Sequence, residues 1–152
     1  MFIELPTEKL INEYLIKFSK EERYTDANMA ISDLYGRYPL NDNIESVLLK
    51  LSVLNDLYST NIFGTYRLAK HILSINIDSY LSNGNESAVI KIATGHNIKN
   101  KNGTEINFYS FATKYCHWHN RDEYPIYDSF VDKVLWCYQK EFKFSNIRKL
   151  FR

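Results

Sequence analysis

Residues Ser110 to Leu135 read SFATKYCHWHNRDEYPIYDSFVDKVL. With about 100° of turn per residue, Phe108, Phe111, Ala112, Tyr115 and His119 fall on one face, which predicts a helix over 108–119 with that face toward a core. Pro125 cannot continue a helix and pushes the residue before it toward extended backbone, so the chain must turn there. A second helix is predicted over 129–140. The segment therefore reads as two consecutive helices joined by an aromatic-proline turn.

Helical spacing extends through almost the whole chain. Thr7 is placed to cap a helix through EKLINEYLIKFSKEE, whose apolar face is Leu10, Ile11, Tyr14, Leu15 and Phe18. Thr25 or Asp26 is expected to open a short helix, ANMAISDLY, with Gly36 just past its end. RYPLNDN reads as a loop that caps IESVLLKLSVLNDLY. This third helix is the most apolar, through Ile44, Val47, Leu48, Leu51, Leu54, Leu57 and Tyr58, and is predicted to be central. STNIFG breaks it, TYRLAKHILSI resumes as a helix, and AVIKIA is a further one that Gly95 terminates. GHNIKNKNGTEIN is polar and predicts an exposed loop. KIATGH carries a weak strand signal, and one short strand makes no sheet. The last piece, SNIRKLFR, has a Ser cap and a helical pattern. The expected fold class is all-α.

At 152 residues the chain is expected to form a single helical domain over 1–152. Its parts would be N-terminal helices in 7–35, central helices in 43–94, a helix pair in 106–140 and a basic helix in 145–152. Hydrophobic residues make up 45% and charged residues 24%, and the formal net charge is +1, so bulk charge does not drive binding to a polyanion. No apolar run approaches the roughly 18 residues that span a bilayer, so no membrane partner is expected. MFIELPTEKL lacks the basic start of a secretory signal. A cytoplasmic location with Cys116 and Cys137 reduced is the expectation.

Lys114 sits at the edge of the first helix of the pair, beside Phe111 and Trp118. Partial burial there would lower a lysine pKa toward the range a nucleophile needs, whereas a stem laid over an aromatic would leave the ammonium charged in water. His117 and His119 are two positions apart on a helix, about 200°, and cannot ligate one metal ion together. With no CxxC motif, no metal site is expected, and His119 reads as a hydrogen-bonded core histidine. Asp128 stands before the second helix, either as an ordinary N-cap or as a carboxylate aimed into a cleft.

An A-T-K on one helix followed by P-I-Y-D-S opening the next resembles the helix-hairpin-helix DNA glycosylase superfamily, most closely a divergent bacterial branch with an 8-oxoguanine DNA glycosylase fold. Lys114 in SFATKYCHWH and Asp128 in YPIYDSFV stand at the positions of the superfamily's lysine and aspartate. VLLKLSVLNDLYSTNIFGTYRLAKHI resembles the helix–polar break–helix segment lining its cleft. The likeness covers roughly Asn43 to Tyr138. It departs from the superfamily at the glycine-rich turn before the lysine, where this chain reads NFYSFATK. The chain also stops sooner after Asp128, which suggests a form shortened at the C-terminus.

The resemblance implies a compact helical domain that excises a damaged or modified base, with possible strand cleavage, and uses no cofactor. Lys114 would be the nucleophile and Asp128 its electrostatic and proton-accepting partner. Tyr58, Ser59, Thr60, Asn61, Tyr109, Trp118 and Tyr127 would contact the flipped base. Lys133, Lys140, Lys143, Arg148 and Lys149 would meet the DNA backbone, or else face water along an amphipathic helix. Two other readings stay open: a non-catalytic DNA-binding or regulatory relative, and a protein-interaction module whose apolar patches a partner or a second copy covers, making a homodimer.

Overall fold

The computed structural model describes residues 4–146. They form α1 (Glu8–Ser19), α2 (Glu22–Arg37), α3 (Ile44–Leu57), α4 (Thr65–Ser74), α5 (Asp78–Ser82), α6 (Ser87–Ala93), α7 (Tyr109–His119) and α8 (Ser129–Phe142). Among the described residues no strand forms, and an isolated antiparallel bridge joins Lys99 to Glu105. The fold is all-α. Arg148, Lys149 and the helix expected over 145–152 lie outside the described residues, apart from that segment's first two positions.

The chain divides into two compact units. One runs from Ile31 to Asp128, and the other joins the residues up to Ala30 with those from Ser129 onward.

In the Ile31–Asp128 unit, α3 packs on α4 and α7, and α6 packs on α7. Val47, Leu51 and Leu54 of α3, Leu68 and Ile72 of α4, Ile92 of α6, and Phe111, Ala112, Tyr115 and Cys116 of α7 form its core. Asn43 opens α3, its side-chain oxygen accepting from Ser46 N at 2.8 Å. Gly95 follows α6 with φ +81°, a left-handed position that glycine takes without strain. Its missing Cβ leaves room for the His71 ring, which would lie only 3.3 Å from one.

Several elements differ from the sequence expectation. Thr25 and Asp26 lie inside α2 rather than before it. The Thr25 hydroxyl donates to the Glu22 carbonyl at 2.9 Å, a bond within the helix that leaves it no capping role. Gly36 is the penultimate residue of α2 and not the position past its end. Lys91, Ile92 and Ala93 of KIATGH belong to α6. The short α5 gave no amphipathic signal, being five residues long. The most enclosed helix is α7, in which Phe111 to Cys116 are all buried, polar members included. Lys114 is therefore in the core, and not at its edge.

In the second unit Thr7 caps α1, accepting from Leu10 N at 3.3 Å. The apolar face of α1 is present, yet none of its residues is buried. The Tyr138 hydroxyl of α8 donates to the Glu4 carbonyl at 2.9 Å.

Core and surface positions should respond differently to truncation. Leu51→Ala should lower the unfolding free energy by about 2–5 kcal/mol in urea titration. Ile90→Ala, on the exposed side of α6, should change it by less than about 1 kcal/mol.

Candidate functional site

The Lys114 ammonium donates to Asp128 Oδ2 at 3.1 Å and to Ser110 Oγ at 2.9 Å. Its third side faces the Tyr58 ring, 5.3 Å from the centroid. The lysine side chain is 4% exposed and the aspartate side chain 22%. The amine is thus held inside the protein while its carboxylate partner still meets solvent.

Three side chains pin the turn that brings Asp128 back to α7. His117 Nδ1 donates to the Tyr124 carbonyl at 2.8 Å, and because a carbonyl can only accept, this nitrogen carries the proton. The Tyr124 hydroxyl lies 2.8 Å from the Tyr80 carbonyl and 2.9 Å from that of Asn85. Thr113 clasps the residue next to the aspartate, its hydroxyl donating to the Tyr127 carbonyl at 3.0 Å and accepting from Tyr127 N at 3.2 Å. Asp128 itself immediately precedes α8.

Further aromatic contacts extend from Tyr58 and from the residues flanking the pair in sequence. Trp118 Nε1 donates to the Tyr58 hydroxyl at 3.1 Å, and the Arg121 guanidinium lies 4.2 Å from the Trp118 ring. Burial raises the Tyr58 pKa, an effect that the Trp118 hydrogen bond and the nearby Arg121 charge oppose. Tyr109 and Tyr127 meet edge to face with centroids 6.1 Å apart. Burial pushes the Cys116 thiol up to about 12, so this cysteine packs and does not serve as a nucleophile.

Of the other expected contacts in the Ile31–Asp128 unit, Ser59, Thr60 and Asn61 are engaged elsewhere. Ser59 and Asn61 adopt positive φ and line a separate polar hollow of about 330 Å³ with Asn55 and Phe63. Thr60 donates to the Asn55 side-chain oxygen at 2.8 Å. Lys133 and Lys140 lie in the second unit, 5.5 Å and 5.6 Å from the Phe130 and Trp136 rings. Lys143 directly follows α8 with φ +47°.

A second polar cluster was not expected from the sequence. Lys50, on the inward face of α3, is fully buried. Its ammonium donates to the Leu40 carbonyl at 2.8 Å, the Tyr38 carbonyl at 3.1 Å and Asn41 Oδ1 at 2.6 Å. The Tyr115 hydroxyl donates to the same Asn41 oxygen at 2.5 Å. Asn41 Nδ2 then donates to Asp78 Oδ1 at 2.6 Å and faces His119 Nε2 at 3.3 Å. The Asn41 amide N–H pointing at Nε2 makes it the acceptor, so the other ring nitrogen holds the proton and supplies the hydrogen bond to the Pro39 carbonyl. His119 is thus a hydrogen-bonded core histidine. Burial lowers the Lys50 pKa to about 8, with Asp78 and Asp42 working against the drop. Burial, then the Lys50 charge, lower the His119 pKa to about 3. A lysine on an apolar helix face with an asparagine nine residues before it was the available sequence signal.

A family model named HI_0787_N, described as an N-terminal domain, matches residues 10–123. The chain belongs to this family. It is 43% identical over 116 residues to an uncharacterized protein of Haemophilus influenzae, an alignment covering 75% of this chain and 56% of that protein. The chain thus spans little more than half the length of the curated relative it matches. No solved structure matches it. No helix among the described residues is long and apolar enough to cross a membrane.

The Lys50–His119 cluster makes stability depend on acid. His119 is neutral when folded, with a pKa of about 3, and takes up a proton near the ordinary value of 6.5 when unfolded. Between those values the unfolded chain binds more protons. Its contribution is therefore complete above about pH 6.5 and is lost as the pH falls toward 3, by on the order of 5 kcal/mol in total. Urea unfolding at a series of pH values should show this slope, and His119→Gln should flatten it between pH 6.5 and 4.

Proposed function

We propose that the chain is a DNA glycosylase with a lysine–aspartate centre, able to cleave the strand after removing a damaged or modified base. The observation that carries this reading is the 3.1 Å contact between the Lys114 amine and the Asp128 carboxylate. Those are the two groups that the resemblance assigned to the reaction, and they lie fourteen residues apart in sequence. DNA is the proposed partner, and the helix-hairpin-helix glycosylase fold is the proposed finer class within the all-α architecture.

The chemistry follows from the pair. Asp128 accepts a proton from the Lys114 ammonium and leaves a neutral amine. The amine forms a bond to C1′ of the extruded nucleotide, while the glycosidic bond breaks and the base departs with its electron pair. As the base departs, Asp128 passes the proton it took from Lys114 to the leaving nitrogen, and the carboxylate so regenerated offsets the positive charge at C1′. Ring opening, with a proton of the attached amine passing to O4′, gives a Schiff base; removal of a C2′ proton then forms a carbon–carbon double bond as the 3′ phosphate leaves with its electron pair, which cuts the strand. Tyr58, half-buried and held by the Trp118 hydrogen bond, offers aromatic surface for a flipped base.

One observation favours a second reading, a protein-interaction module whose apolar surface meets a partner or a second copy: the apolar face of α1 is uncovered.

Borohydride trapping on duplex DNA with abasic or oxidised-guanine sites tests the first reading. A covalent adduct should form and should be absent in Lys114→Ala. Asp128→Asn should slow its formation by at least about 100-fold, the scale on which a positioned acid–base group acts. Absence of both adduct and excised base over a panel of lesions would overturn the proposal.

A further inference from the structure

The helix α1 is twelve residues long and none of its residues is buried. A helix of that length is marginal in water unless its apolar side is covered, because nucleation costs more than a few turns of hydrogen bonding return. Ile11, Leu15 and Phe18 follow i, i+4, i+7 spacing and stand 50%, 58% and 46% exposed. They form a ridge beside a groove of about 960 Å³, whose far wall is Val134 and Tyr138 of α8. The lining is apolar except for Glu4 and Lys17. Glu4 precedes α1 and Lys17 lies in its last turn, so the two charges mark opposite ends of the groove.

We propose that this groove is the contact between two copies of the chain related by a two-fold axis. We place the two-fold axis perpendicular to α1, so that the helix runs in opposite directions in the two copies. That reversal brings Glu4 of each copy to Lys17 of the other and lays each Ile11–Leu15–Phe18 ridge in the opposite groove. Ile11, near the midpoint between the two charges, lies closest to the axis and meets its own counterpart. The net charge of +1 leaves little repulsion between copies. The apolar ridge supplies the driving force and the paired ends fix the register. Nothing in this contact requires the Lys114–Asp128 chemistry.

Sedimentation equilibrium of the whole chain at micromolar concentrations should give two copies. Ile11→Glu, which sets two carboxylates against each other at the axis, should weaken association by at least about tenfold. Lys17→Glu alone should weaken it, and Glu4→Lys added to Lys17→Glu should restore it. That restoration separates a lost contact from a lost fold. Ile11→Cys in a Cys137→Ser background should form an intermolecular disulfide under mild oxidation. Single copies throughout, a pair indifferent to Ile11→Glu, or a charge swap that fails to restore pairing would each overturn the proposal. Single copies that bind phosphatidylglycerol vesicles through Ile11 would overturn it too, by making a lipid surface the occupant.

Discussion

An ammonium group removed wholly from water costs several kcal/mol unless acceptors surround it, and Lys50 imposes that requirement on the Ile31–Asp128 unit. Three oxygens meet it, and all three come from one short stretch, Tyr38 to Asn41. The connection between α2 and α3 is therefore wrapped around the end of this side chain. The demand then spreads outward. Asn41 gives its oxygen to Lys50 and Tyr115, so its amide nitrogen must find partners elsewhere, and it finds Asp78 and His119. One buried charge in this way fixes the loop, the start of α5 and the inward face of α7.

The two buried lysines are held in different ways. Lys50 touches carbonyl and amide oxygens, with its nearest carboxylate one residue removed through Asn41. It is fully enclosed, and its donors are all engaged. Such a group orients its surroundings and has no path to a ligand. Lys114 instead contacts a carboxylate that is partly open to solvent. An ion pair with one wet member can exchange a proton or receive a substrate atom, and this asymmetry makes the second lysine the chemical candidate.

The sequence carried the helices well where an apolar stripe met a capping residue. Asn43 before α3 and Thr7 before α1 are both capped as their side chains suggest. It failed where a side chain had two local choices. Thr25 can cap a helix or bond backward within one, and neighbouring residues decide. The encounter of Lys114 with Asp128 was expected through the family resemblance, and Pro125, which forces a turn between two strong helical patterns, is the local feature that permits it. The core position of Lys114 was not, since a helical wheel divides inside from outside only when one side of the helix faces water, and α7 is enclosed on nearly all sides. The Lys50 cluster was hidden for a related reason. Apart from Asn41, its partners are backbone carbonyls, which every residue has, and a histidine and a tyrosine more than sixty positions away.

The chain contains two tryptophans, and they fall one to each unit. Trp118 is buried, hydrogen-bonded to Tyr58 and stacked by Arg121. Trp136 is half-buried on α8, with the Lys140 ammonium over its ring. Their surroundings differ enough to separate their emission, Trp118 toward the blue. Replacing either one by phenylalanine leaves an intrinsic fluorophore that reports on a single unit. Two coincident melting curves would then mark one cooperative body, and two displaced ones a molecule that comes apart in stages.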